Sequence, residues 1–293
     1  LLVKKMVMEH NSSVTEFILK GLTDQPELQL PLFVLFLVNY TATVVGNLSL
    51  MSLIILNSHL HTPMYFFLFN LSFIDFCYSF VWCMTQVFFF CLFVNSECYV
   101  LTAMAYDRCV AICRPLLYVV IISPRTCCLL VFGSHLMGFV GAVVLTGCVI
   151  RLNFCDSNLI NHYMCDISPL LQLSCSSTYV NELLSSVFIS TVVIISSLII
   201  LTSYVLVLFN VIQLSSGKGL SKAMSTCSSH IITVALFYGF GVLTHMKTSS
   251  AVSVGQVKFF SVFYAFLLPL LNPLIYSLRN KDVKLALKKT LKR

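Results

Sequence analysis

The chain has 293 residues, of which 58% are hydrophobic and 10% charged, with a net charge of +7. Soluble domains carry about 45–50% apolar and about 25% charged residues, so a water-soluble enzyme or nucleic-acid-binding domain is excluded and lipid is the solvent. Nor is the positive charge spread as a nucleic-acid surface requires: seven of the eighteen Lys and Arg residues fall in the last fifteen positions.

Residues 1–29 are polar and acidic-leaning (Glu9, Glu16, Asp24, Glu27) and carry a glycosylation sequon at Asn11. A bilayer core of about 30 Å takes about 20 apolar residues as a helix. Seven runs meet that need, at Leu30–Leu56, Pro63–Val81, Cys83–Ile112, Thr126–Val149, Leu183–Leu214, Ala223–Met246 and Phe259–Leu278. They lack the alternation of a barrel strand, so they read as helices that pair their own backbone groups. With no hydrophobic signal-peptide core ahead of it, the first span is expected to act as its own insertion signal. Placing the N-terminus outside puts twelve Lys and Arg on the cytoplasmic side and six outside, the bias of a plasma-membrane protein with a cytoplasmic C-terminus. From Asn280 to Arg293, Val283, Leu285, Leu287 and Leu291 alternate with Lys284, Lys288, Lys289 and Lys292. This predicts a short amphipathic helix lying on anionic lipid. The fold expected is an all-α membrane protein, a seven-transmembrane helix bundle over 30–278 between an extracellular segment (1–29) and a cytoplasmic tail (279–293).

Asp107-Arg108 closes the third span, where an adjacent acid and base can hold each other in an off state. Asn272-Pro273-Leu274-Ile275-Tyr276 ends the seventh, where proline frees a carbonyl and permits a kink. Asn47, Asp75, Glu97 and Asn272 lie inside apolar spans, where polar groups are costly and usually functional. Cys91, Val94, Asn95 and Cys98 fall at helical spacing on the third span, as do Tyr238, Gly241, Val242 and His245 on the sixth. Asn95 stands 13 residues before Arg108, about 20 Å along the helix. Three cysteines, Cys155, Cys165 and Cys175, share one polar stretch that faces an oxidising compartment. Glycine-rich phosphate loops, serine elbows and zinc-type Cys/His pairs are absent, so an enzyme is not expected.

More specific strings narrow the reading. Leu60-His61-Thr62-Pro63-Met64-Tyr65-Phe66-Phe67-Leu68 opens the second span, Ser203-Tyr204 sits in the fifth, and Lys222-Ala223-Met224-Ser225-Thr226-Cys227-Ser228-Ser229-His230 opens the sixth. Pro269 to Val283 (PLLNPLIYSLRNKDV) closes the seventh. Together they resemble the olfactory receptors of the rhodopsin-like, G-protein-coupled class, over nearly the whole chain. The resemblance implies an odorant receptor that activates a stimulatory G protein and raises cyclic AMP. It implies a switch built from Asp107, Arg108, Tyr204, Asn272, Pro273 and Tyr276, and a polar cluster of Asn47, Asp75, Glu97 and Asn272 able to hold sodium. The two helical stripes, with Val192 and Ala265 added by resemblance, would line an odorant cavity. Apolar walls with Asn95, Tyr238 and His245 as polar points suit a small neutral volatile ligand, and no carboxylate is expected to face them. Disulfides Cys83–Cys165 and Cys155–Cys175 are likewise implied.

The chain departs from the family pattern between Asp75 and Glu97. It is roughly twenty residues short there, leaving Trp82 alone where helix pairs usually need about 2–8 residues. Cys109 also stands where the family usually has tyrosine. The competing expectation is therefore a non-signalling receptor remnant, poorly delivered to the surface and retained inside the cell. A transporter would need charged or discontinuous helices along a path, and spans four and five carry no interior charge.

Overall fold

In the computed structural model, residues 18–19, 21–23, 25–77, 83–154, 159–160, 162, 164–214, 217–245, 261–279 and 281–290 are described. The helices follow the expected order: α1 (Pro26–Leu56), α2 (Pro63–Cys77), α3 (Cys83–Cys113), α4 (Tyr118–Ile121), α5 (Pro124–Ile150), α6 (Ile167–Gln172), α7 (Tyr179–Leu214), α8 (Gly217–His245), α9 (Leu268–Arg279) and α10 (Lys281–Thr290). Four of them, α1, α3, α5 and α7, contain stretches long and apolar enough to cross a membrane, and shorter apolar stretches lie at Cys227–Gly241 and Ala265–Ile275. Lipid-facing surface is supplied by exposed side chains such as Phe33, Leu37, Phe132, Ile195 and Leu198.

Local chemistry sets the helix ends. α1 begins at Pro26 rather than Leu30, because proline at the first helical position gives up no needed hydrogen bond. α5 begins at Pro124, where the Ser123 hydroxyl accepts the Thr126 amide at 3.3 Å. The described part of α2 ends at Cys77, short of the expected Val81. Residues 78–82 lie outside the description, so the connection to α3 is not part of it.

α3 is the central post. Of its apolar stretch 61% is buried in the bundle, against 6% for α1. It meets α5 most closely through glycine. A Cβ on Gly138 would stand 2.7 Å from the Leu92 carbonyl oxygen, and one on Gly141 3.2 Å from Asn95 Nδ2 and 2.9 Å from the Phe188 ring of α7. The main core joins Leu50, Phe67, Leu71, Ile74, Leu101 and Phe237, drawn from α1, α2, α3 and α8. α10 is amphipathic as expected: Val283 and Ala286 are buried, while Lys284, Lys288 and Lys289 are exposed.

The end of the bundle opposite Arg108 carries structure that hydropathy does not reveal. β1 (Ile18–Leu19) pairs in parallel with β2 (Leu159–Ile160), and the Gly21 amide donates to the His162 carbonyl at 3.2 Å. Gly21 has φ +84°, a conformation that favours glycine.

Candidate functional site

Asn47, Asp75, Glu97 and Asn272 are all buried, and hydrogen bonds join the last three. Asn47 and Asp75 are 0% exposed, and Glu97 and Asn272 1%. Asn272 Nδ2 donates to Asp75 Oδ2 at 3.0 Å and approaches Glu97 Oε1 at 3.4 Å, tying α9 to α2 and α3. Asp75 Oδ1 and Asn272 Oδ1 are buried without hydrogen-bond partners. Asn47 has a separate task. Pro273 lacks an N–H, so the carbonyl four residues earlier, on Pro269, has no helical donor. Asn47 Nδ2 supplies one across the helix interface at 3.0 Å, and Asn39 Nδ2 does the same for Phe266 at 3.1 Å. Phe266 lies in the widened turn Phe263–Leu267 just ahead of Pro269.

At the far end of α3, Arg108 is paired with Asp107, its Nε donating to Asp107 Oδ2 at 3.0 Å. The second Asp107 oxygen accepts the Tyr118 hydroxyl from α4 at 2.8 Å. Burial, then the neighbouring Asp107 carboxylate, pushes that hydroxyl's pKa above the ordinary tyrosine value. Around this triad Leu116, Val119 and Val120 stand 94%, 77% and 75% exposed, and Arg114 and Arg125 are exposed as well.

A second polar link joins three helices. The His230 ring on α8 hydrogen-bonds through Nε2 to the Leu101 carbonyl of α3 at 3.1 Å. A carbonyl only accepts, so Nε2 carries the proton and Nδ1 accepts from the Tyr204 hydroxyl of α7. The sequence pointed to Tyr204 but not to His230 or Tyr118 as working residues. A buried histidine in the string that opens span six was the available signal.

The ligand stripe on α3 is divided among three neighbours. Cys91 packs with Val87, Ala142, Leu145 and Cys165. Asn95 is buried, its Nδ2 donating to the Cys91 carbonyl at 2.7 Å and lying beside Gly141 and Phe188. Val94, Cys98, Val192 and Tyr238 belong to the main core. The Tyr238 hydroxyl is enclosed by Cys98, Thr102 and Ser196 without a well-aligned partner. Gly241 and Ala265 are half-buried. Cys165, next to Asp166, packs with Cys91 at the outer end of the stripe. The loop carrying it folds onto α3, where the Cys165 amide donates to Gln86 Oε1 at 3.2 Å. Asp166 Oδ1 itself caps α6 by accepting the Ile167 amide at 2.7 Å.

Cys165 and Cys175 each take part in a disulfide. Asn11, Cys155 and the side chains of Cys83, Val242, His245 and Tyr276 lie outside the described residues.

A bundle of this helix order, with an acid–amide cluster inside and an Asp–Arg pair at the base of its central helix, defines a rhodopsin-like membrane receptor. The chain matches the olfactory receptor family over residues 77–293. It is 69% identical to olfactory receptor 8C8 of Mus musculus, covering 99% of this chain and 98% of that protein. It is 58% identical to olfactory receptor 8B4 of Homo sapiens (98% and 99%) and 56% to human olfactory receptor 8B12 (97% of each). The chain belongs to the olfactory receptor family: it is an odorant-detecting, G-protein-coupled, multi-pass membrane receptor and not an enzyme.

Proposed function

We propose that this receptor detects small, neutral, volatile odorants at the plasma membrane and activates a stimulatory G protein, raising cyclic AMP. The N-terminus lies outside and Arg108 faces the cytoplasm. The observation that carries the reading is the Asp107 carboxylate held from two sides, by Arg108 and by Tyr118. A carboxylate engaged in this way stabilises an off state, and the exposed Leu116, Val119 and Val120 beside it offer the G protein an apolar contact. Odorant binds among Cys91, Val94, Asn95, Cys98, Val192, Tyr238, Gly241, Val242, His245 and Ala265. A ligand shifts the off–on balance only by its preference for the on arrangement, and Tyr238 is suited to sense it, because its helix also carries His230. Release of Tyr204 from His230 then frees α7 and α8 from α3. Arg108→Ala should abolish odorant-driven cyclic AMP while surface staining persists; an unchanged dose–response curve refutes the coupling.

Asp75, Glu97 and Asn272 have the donor chemistry for sodium, since oxygens suit hard cations and Asp75 Oδ1 and Asn272 Oδ1 lack other partners. Two buried carboxylates side by side repel, and a shared cation would relieve that in the off state.

One observation favours a second reading, a receptor retained inside the cell. The alignment to mouse olfactory receptor 8C8 runs over 308 positions although this chain has 293 residues, so some of the relative's residues have no counterpart here. Helix α2 is described to Cys77 and α3 begins at Cys83, the region where the family pattern runs short. Inserting about twenty family-like residues between Trp82 and Cys83, enough for a loop of usual length and the missing helical turns, should then raise surface staining. Equal staining of the unmodified chain refutes retention.

A further inference from the structure

One turn apart on α3, Cys109 and Cys113 place their sulfurs 4.0 Å from each other. Both thiols are free. Cys109 is buried against Val207 and Val211 of α7, and Cys113 is half-buried at the edge of the same small cluster. The pair sits beside Arg108 but takes no part in the Asp107 network described above.

We propose that Cys109 and Cys113 form a binding site for a soft divalent metal ion of the zinc and cadmium type. The distance carries the argument. Two sulfurs on a tetrahedral zinc, each at about 2.3 Å, stand about 3.8 Å apart, close to the separation already present. A disulfide is the poorer use of the same pair. It needs Cβ atoms about 3.5–4.5 Å apart, whereas residues four apart on a helix hold theirs about 5–6 Å apart, so bridging would break the helix. Metal binding needs no oxidant: each thiol releases one proton, and each sulfur donates a lone pair to the ion. Among the described residues no group of three or more Cys, His, Asp or Glu side chains could hold a metal, so water completes the coordination. Sites left open in this way exchange their ion more readily than closed four-ligand sites, which suits a modulatory role. The ion clamps the last turn of α3 and lies against Val207 and Val211, on the helix that carries Tyr204. The inference is independent of which G protein the receptor engages.

The test uses purified full-length receptor in detergent, titrated with cadmium and followed by thiolate-to-metal charge-transfer absorbance. Wild type should bind one ion with this signature. Cys109→Ser, Cys113→Ser and the family-like Cys109→Tyr should each weaken binding by at least about tenfold, the scale on which even outer-shell partners act. Cys148→Ser should leave it unchanged. On wild type alone, cadmium should slow alkylation of Cys113, read by mass spectrometry, and leave the exposed Cys128 unaffected. This second readout does not depend on any variant folding. No charge-transfer signal in wild type, the same titration in the Cys109 and Cys113 variants, or equal protection of Cys113 and Cys128 overturns the proposal.

Discussion

Gly138→Ala adds one methyl group where α3 and α5 touch. Its Cβ would stand 2.1 Å from Ser96 Oγ and 2.7 Å from the Leu92 carbonyl oxygen. The Ser96 hydroxyl can rotate away, but the carbonyl is helix backbone and cannot. Restoring an ordinary contact of 3.4 Å or more requires α5 to move out by about 0.7 Å, and a gap of about 0.5–1 Å already forfeits a quarter to a half of each dispersion contact. Overpacking of this kind costs about 1–3 kcal/mol, or roughly a 5- to 160-fold fall in the folded-to-unfolded ratio. Gly133, on the same helix, has nothing within 4 Å of the place its added methyl would occupy; Gly133→Ala should be neutral or stabilising by up to about 1 kcal/mol. The assay is thermal inactivation in detergent alongside cell-surface staining, with both variants in parallel. Equal behaviour of Gly138→Ala and Gly133→Ala would refute the claim that glycine sets the α3–α5 distance.

Asn47→Ala leaves the Pro269 carbonyl buried without a donor, which should cost about 1–3 kcal/mol and lower the midpoint of thermal inactivation; no change would mean that water replaces the amide. Tyr118→Phe removes a hydrogen bond to a carboxylate at a half-buried site, worth about 1–2 kcal/mol after allowing for solvent, so basal cyclic AMP should rise several-fold. The Tyr118 hydroxyl ionises above its ordinary value, so its contribution is complete below about pH 10 and is lost only as pH climbs through the raised value. G-protein activation by membranes, measured without odorant from about pH 6 to about pH 9, should therefore show no Tyr118-dependent change. Glu97→Gln should alter basal activity and sodium sensitivity more than odorant selectivity; a selectivity shift at constant basal activity would move Glu97 into the ligand pocket.

The sequence by itself determined the solvent, the helical fold class and the family. Lipid allows few charges and demands long apolar runs, and both are countable in one dimension. The buried polar residues were legible for the same reason: Asn47, Asp75, Glu97 and Asn272 are conspicuous because the spans around them are apolar. Helical spacing likewise located the Cys91–Cys98 stripe. It could not say which neighbour each member meets, since that depends on how α3 is rotated against α5, α7 and α8, and glycines 138 and 141 decide that rotation through close contact. Nor could it show that Asn47 serves the Pro269 carbonyl, that His230 joins Tyr204 to α3, or that Tyr118 reaches Asp107. Those partners lie 222, 26 and 11 positions apart, and hydrogen-bond partnership between distant residues exists only once packing has brought a donor within about 3 Å of its acceptor.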